Sequence, residues 1–388
     1  MSDVVICGGG AVGAATAFFL KHELKFPGSV TVIEKDMSFQ RASTSLSASS
    51  IRLQFSTPEN IRMSKFGVSF LKSLKERFGA EADPSFHERG YLILAATAGQ
   101  PVLEANNRIQ LAEGARSTLL DLDGLARRFP WLNRDGLAIA SFGEADEGWF
   151  DAATLHGTLR KSARAEGAVF VEDEVVGFSL ESERIADVTL KSGGVIAAGT
   201  VVNAAGHAAG RLAALAEVAL PVEPRKRSVF VVHCPGAAPG MPLVTDISGI
   251  WIRPEGQFHI TGWSPPEAED KTADPADFEP DYEIFEETIW PLLAARIPAF
   301  ETCKVVRAWA GLYDYNTLDQ NAIIGRHPKI NNLIFCNGFS GHGLQQSPAS
   351  GRAAAELVMF GAFRSIDLAR FGYERVVRNA PLLETNVY

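Results

Sequence analysis

Three groups of residues in this 388-residue chain have types and spacing suited to chemistry. The first is Gly8-Gly9-Gly10-Ala11-Val12-Gly13, followed by Glu34. It contains the spacing G-x-G-x-x-G. Such glycines permit a tight turn and the close approach of a pyrophosphate, which rests on a helix N-terminus. A carboxylate at the position of Glu34 accepts from ribose hydroxyls. Together they predict dinucleotide binding; a glycine turn that merely packs would not explain Glu34. The second group is the turn Asn337-Gly338-Phe339-Ser340-Gly341-His342-Gly343. It can present backbone N–H groups to an electron-rich ring or a phosphate, or simply connect a strand to a helix. The third group is scattered. Arg52 suits a planar carboxylate, because a guanidinium donates two parallel hydrogen bonds; a loop-to-surface ion pair is the alternative. The run Arg225-Lys226-Arg227 reads first as an exposed basic turn. His259 reads first as a strand histidine with a structural hydrogen bond. Tyr313 and Tyr315 flank Asp314 beside Trp309, and one face of that run either walls a cavity or joins the core.

These residues need elements to hold them. Val4–Cys7 is a short apolar strand, a helix over 11–25 follows, and Val30–Glu34 is a second strand, making a βαβ unit. Residues 41–57, rich in Ser and Ala, read as loop. A helix capped by Thr57, with Pro58 in its first turn, carries Met63, Phe66, Phe70 and Leu74 on one face and ends at Gly79. Further on, 91–94 reads as strand, 102–129 as helix, 138–140 as strand, and Asp151 caps a helix ending at Gly167. Strands over 228–234, 250–253 and 257–262 suggest an antiparallel sheet with a Pro-Glu-Gly hairpin turn. The acidic, proline-containing stretch 265–287 reads as a solvated loop, or as a lid. A helix over 282–296 and a strand over 303–310 follow. The strand 332–336 leads through the second glycine turn into a helix capped by Ser347, with Pro348 in its first turn. The chain thus begins and ends with strand–glycine turn–helix units, which predicts two interleaved domains.

Composition narrows the function classes. A net charge of −9, from 37 basic and 46 acidic residues, disfavours a nucleic-acid partner. The cysteines Cys7, Cys234, Cys303 and Cys336 show no C-x-x-C spacing, so no metal site is expected. No apolar run approaches the roughly 18 residues of a membrane span. With a strand entered at Asp3 there is no room for a signal peptide, and the expected location is cytoplasmic; a processed organellar form is the alternative.

The N-terminal GGGAVG with Glu34, the Val202–Gly206 segment and GFSGHGLQQSP resemble the D-amino acid oxidase superfamily, in its sarcosine oxidase and glycine oxidase branch. PVEPRKR, AWAGLYDYNTLDQNAIIG and GFSGHGLQQ are similar to a mitochondrial group of FAD-dependent oxidoreductase-domain proteins implicated in assembling respiratory complex I. The resemblance implies an α/β plus antiparallel-β fold: a Rossmann-like, glutathione-reductase-like FAD-binding domain (1–84, 147–219 and 321–388) interleaved with a substrate domain (85–146 and 220–320). It implies that Gly8, Gly10, Ala11, Val12, Gly13, Glu34 and Lys35 hold the ADP portion of FAD. Ser43, Thr44 and Ser45 would lie near the diphosphate or ring, Val175 at the adenine side, and Gly206 close to the cofactor. Gly338, Gly341, His342, Gly343, Leu344 and Gln345 would line the isoalloxazine.

Arg52 falls at the family's carboxylate-binding Arg. Gln345 stands where the second cation, a Lys, would be: either Gln345 donates a neutral hydrogen bond, or the substrate lacks a simple α-carboxylate, or Arg225, Arg227 or Arg253 supplies the second charge. Gly311 stands where monomeric sarcosine oxidases carry the Cys that bonds FAD, which predicts noncovalent FAD. The Lys that promotes reaction with oxygen has no evident match; His259 lies nearest its position. Arg52, His259, Tyr313 and Gln345 are therefore the expected catalytic-site residues. The implied reaction is oxidation of the C–N bond of a secondary amine or N-substituted amino acid by hydride transfer to flavin N5. Electrons would pass to oxygen or another acceptor. A dehydrogenase with a non-oxygen acceptor, or a low-turnover flavoprotein assembly factor, are the alternatives.

Overall fold

The computed structural model describes residues 1–385. Its centre is an eight-stranded sheet whose main path runs Ile323–Arg326, Leu333–Asn337, Val195–Asn203, Ser2–Cys7, Val30–Glu34, Val169–Glu172. Four of these neighbours pair parallel; only the Ile323–Arg326 edge is antiparallel. Strands buried on both faces read as continuous apolar runs rather than alternating ones. Accordingly Val4 and Ile6 face one hydrophobic cluster and Val5 and Cys7 another. Helices Ala11–Phe18, Pro58–Phe78 and Gly343–Phe360 cover the first face; the helix Ala209–Ala214 and an antiparallel ribbon, Val175–Leu190, cover the second. The first and last of the three helices approach closely because Gly351 sits on Ala15, where a Cβ would come within 2.4 Å of the Ala15 Cβ.

The second sheet also has eight strands, ordered Lys304–Asn316, Val222–His233, Phe258–Trp263, Ile250–Glu255, Leu243–Thr245, Tyr91–Ala95, Ile139–Gly143, Ser117–Asp121. All neighbours are antiparallel except Leu243–Thr245 with Tyr91–Ala95, a parallel exception to the expected antiparallel sheet. Its outer face packs against the helical segment 282–296. The fold is thus a Rossmann-like layer interleaved with a largely antiparallel sheet.

Several elements differ from expectation for local physical reasons. The helix expected over 102–129 stops at Ala112. Gly114 turns the chain at φ +76°, and Ser117–Asp121 pairs with Ile139–Gly143; Asp121 then caps a short helix, Leu122–Arg128. The C-terminal helix begins at Gly343, not Ser347, so Pro348 lies inside it. The Leu344 carbonyl that loses the Pro348 amide instead accepts from the Ser347 hydroxyl at 2.9 Å, which makes the proline tolerable. Thr57 does occupy the N-cap of Pro58–Phe78, yet its side chain makes no cap bond. The Glu384 carboxylate does so from the C-terminal tail, accepting from the amides of Ser56 and Thr57 and from Asn60 Nδ2. Asp151 caps its helix as the sequence indicates.

Candidate cofactor and substrate site

A cavity of about 1030 Å³ runs between the two sheets. One end is built by backbone. Gly8 adopts φ +104°, and a Cβ there would lie 2.3 Å from the Ala204 carbonyl oxygen; a Cβ on Gly13 would lie 1.9 Å from that of Gly8. Only glycine lets this turn lie against the strand after Asn203 while opening helix Ala11–Phe18. Gly8, Gly10, Ala11, Val12, Glu34, Lys35, Val175 and Gly206 line this end, and Gly13 supports it from behind. Glu34 accepts from the Gly9 amide at 2.8 Å and the Asp36 amide at 3.2 Å, which fixes its carboxylate and leaves lone pairs for a diol. His156 was not singled out by sequence reasoning. Its Nε2 lies 2.8 Å from the Gly9 carbonyl oxygen, an acceptor only, so Nε2 carries the proton. Burial pushes this imidazole down to about 4, keeping it neutral beneath the turn.

The loop 41–50 spans the middle. Thr44 Oγ1 accepts from the Ala11 amide at 2.9 Å, and Ser43 donates to the Leu312 carbonyl at 2.6 Å. Trp309 Nε1 donates to Leu46 O at 2.9 Å, and Arg253 donates to Ala48 O through Nε and Nη2 at 3.0 and 2.8 Å. Arg253 is therefore a bolt between loop and sheet. Ser43 and Thr44 line the cavity together with Ser47; Ser45 is exposed and forms none of the wall.

The other end is built by side chains. Gly311, Leu312, Tyr313, Gly341, Gly343, Leu344 and Gln345 line it. The amides of Gly338 and Phe339 do not face the cavity as the glycine-turn reading expected. They donate to Asp314 Oδ2 at 2.8 and 3.1 Å, and burial still pushes that carboxyl up to about 6. Gly341, at φ +99°, packs on Tyr313; a Cβ there would come 2.6 Å from the ring. The available donors at this end are instead the first-turn amides of helix Gly343–Phe360, which have no intrahelical acceptor.

Arg52 lies behind this wall rather than on it. It is 5% exposed, with its guanidinium 4.7 Å from the Phe55 ring centre and Nη2 3.1 Å from His342 Nε2. Arginine only donates, so His342 Nε2 accepts and Nδ1 carries the proton. Burial, with the Arg52 charge beside it, pushes His342 down to about 3. Gln345 Oε1 accepts from the Arg52 amide at 2.8 Å, leaving the carboxamide nitrogen as its donor. His342 borders a second, small cavity of about 100 Å³ rather than the main one.

His259 is brought elsewhere. It pairs opposite Val232 and meets the Phe300 ring edge-on at 4.8 Å, on the outer, helix-covered face of the sheet. Conversely, the expected basic turn at 225–227 is part of strand Val222–His233. Pro224 lies where the strand has a neighbour on one side only, which proline permits. Period-two alternation puts Arg225 and Arg227 on the cavity face. Arg227 lines the cavity with its guanidinium 5.1 Å from the Tyr313 ring centre, and Arg225 stands 4.9 Å from that of Tyr315. The alternation was the signal available for them.

The residues present fit an FAD: an elongated cavity, a glycine cradle that any Cβ would fill, and helix N-termini at both ends. Among the described residues no helix is long and apolar enough to cross a membrane. The solved L-proline dehydrogenase from P. horikoshii shares 28% identity and a TM-score of 0.85, covering 98% of this chain and 99% of that one. Glycine oxidase from Geobacillus kaustophilus shares 25% and 0.81, covering 96% and 98%. The FAD-dependent oxidoreductase domain-containing protein 1 of Xenopus laevis is 43% identical over 425 aligned positions, spanning 100% of this chain and 85% of that protein. The family model described as FAD dependent oxidoreductase matches residues 3–357, and the chain belongs to this D-amino acid oxidase (DAO) family of FAD-dependent oxidoreductases.

Proposed function

We propose that this enzyme oxidises the C–N bond of a secondary amine or N-substituted amino acid. The observation that carries the reading is the side-chain end of the cavity. There a phenol, Tyr313, and a guanidinium, Arg227, share one wall facing the start of helix Gly343–Phe360, with Gln345 beside them. A cation, a phenol and a carboxamide suit a small substrate that carries a carboxylate beside its amine. The names of two structural relatives, L-proline dehydrogenase and glycine oxidase, point to the same substrate class. When bound, FAD supplies a two-electron acceptor at this end. The chain's part is to orient the substrate and exclude water, with Arg227 and Tyr313 holding the acid group and Arg52 setting the position of Gln345 through its amide.

The residues Gly8, Gly10, Glu34, Lys35 and Thr44 would hold the ADP portion, and Gly341, Gly343 and Leu344 the ring. The proposed division into 1–84, 147–219 and 321–388 against 85–146 and 220–320 is supported by the strands, since each sheet draws only on one set. We infer that the cofactor is held without a covalent bond at Gly311. That residue has no side chain to link, and a Cβ there would sit 3.0 Å from Leu46 Cβ.

A specific observation favours an acceptor other than oxygen. Arg227 is ion-paired with Asp270, through Nη1 at 2.8 Å and Nη2 at 2.6 Å. The positive charge that would favour superoxide formation is thereby cancelled. The test is anaerobic titration with N-methyl and cyclic amino acids, following flavin absorbance near 450 nm. Bleaching by at least one is expected; a panel that never bleaches it contradicts the reading. Repeating turnover in air and with an artificial dye should give dye reduction without matching peroxide; equal peroxide yield would assign the enzyme as an oxidase.

A further inference from the structure

We propose that Arg227 is the anion-recognition residue of the cavity's side-chain end and that Asp270 occupies it in the closed molecule. A small carboxylate ligand then takes the place of Asp270 and releases the segment 265–281 from the cavity. This rests on the substrate class proposed above.

The segment 265–281 forms part of the cavity wall through Pro275, Ala276 and Phe278. Almost everything that holds it comes from one strand, Val222–His233. The Ala273 amide donates to Pro224 O at 2.9 Å, Arg225 Nη1 donates to Thr272 Oγ1 at 2.8 Å, and Lys226 Nζ meets Asp277 at 2.6 Å. Outside that strand, the Arg41 guanidinium stands 5.4 Å from the Phe278 ring centre. Of these contacts, the Asp270–Arg227 pair differs in kind. Its side chains are 7% and 12% exposed, whereas those of Lys226 and Asp277 are 26% and 38% exposed. A solvated pair contributes little, while a buried two-bond pair is felt strongly when either member is lost.

The Arg227 half of this pair lines the cavity, with Asp270 set behind it. Arg227 stands opposite Gly311 across the strand pair, and its guanidinium covers the Tyr313 ring. Gly311 contributes no side chain to that wall, and Leu46 packs against it instead. The Asp270 carboxylate takes the fork of Arg227 in the two-bond arrangement that a ligand carboxylate would use. Two carboxylates cannot both hold that fork. Asp270 also lies 3.9 Å from Arg225 Nε, so it sits between two buried guanidiniums; an entering anion that takes its place keeps one carboxylate beside both of them. No bond is made or broken in the exchange, and no electrons move. The acidic, proline-containing sequence of 265–281 is consistent with a segment that is clasped by charge rather than by an apolar face.

The test uses the flavin-loaded full chain, with benzoate as the carboxylate and benzamide as its neutral counterpart, read by perturbation of the flavin spectrum. Asp270→Asn should bind benzoate about tenfold tighter than wild type, and Arg227→Gln about tenfold weaker, with benzamide indifferent to both. Trypsin cleavage after the exposed Lys271, followed by mass spectrometry, should accelerate with saturating benzoate in wild type and be fast without ligand in Asp270→Asn. The tightening in Asp270→Asn cannot arise from misfolding, which keeps the proposal testable if Arg227→Gln loses its flavin. Equal benzoate affinity in wild type and Asp270→Asn, with Lys271 cleavage unchanged by benzoate, would overturn it. Amine oxidation is not needed for this readout. If benzoate behaves as predicted while no amine bleaches the flavin, the latch stands and the amine reading fails.

Discussion

The two ends of the cavity are made differently. The nucleotide end is backbone: glycines that tolerate φ +104° and contacts no Cβ could survive, with Glu34 and Thr44 accepting from the Gly9 and Ala11 amides of the same turn. The opposite end is side chain: Arg52 on His342, Arg227 on Asp270, Tyr313 on Gly341, each joining two different elements. A backbone site is specified by one local motif and accepts one class of ligand. A side-chain site is assembled from several strands and can be re-specified one residue at a time, which is how one fold serves many reactions.

The largest effect expected from this contrast is at Gly13. Gly13→Val would drive a side chain into the Gly8 carbonyl, so the flavin-to-protein ratio should fall to near zero; retention of one flavin per chain would break the backbone account. Next comes Arg52. Arg52→Gln should keep its flavin yet lower the rate of anaerobic reduction by roughly tenfold to a hundredfold, because it removes the buried guanidinium that holds His342 and the Phe55 ring behind the cavity wall. Loss of the flavin together with the rate would mean that the two ends are not separable.

A smaller effect is expected at Glu147, which anchors the Arg52 segment by accepting from the Leu53 amide and Gln54 Nε2, both at 2.8 Å. Burial pushes this carboxyl up to about 7, against the pull of those bonds. A raised acid holds its proton more tightly when folded. Its stabilisation is present below the unfolded value near 4.5 and is lost as pH rises through 7. Glu147→Gln should therefore gain on wild type by roughly 2 kcal/mol between pH 5 and pH 8. The change in the difference of urea midpoints reads this; a constant difference contradicts it. The smallest effect is at His259, on the far face of the sheet. His259→Gln should leave the rate of flavin reduction unchanged, and a marked loss would place it in the site after all.

The same contrast explains what could be read in the chain beforehand. GGGAVG and Glu34 were legible because the glycines and the acid stand at a fixed spacing along a strand–turn–helix–strand unit, and the glycines have one steric reason. The two interleaved units were legible from strand–glycine turn–helix patterns at both termini. The Gly338–Phe339 amides were misread, since nothing local says that Asp314, on another strand, takes them. His259 was misplaced because strand registry, not sequence distance, decides which face a residue occupies. Arg225 and Arg227 read as an exposed basic turn because a run of cations usually marks a solvated face; the pairing with Lys304–Asn316 that makes them part of a strand is long-range. Glu384 capping Pro58–Phe78 from more than 320 residues away had no sequence signal at all.

The central claim is that one FAD lies in this cavity, held by backbone at one end and by no covalent bond at the other. Acid precipitation of the purified yellow protein tests it directly. The account predicts a colourless pellet with one FAD per chain in the supernatant. A yellow pellet would contradict the reading of Gly311, and a protein without flavin absorbance would contradict the reading of the cavity.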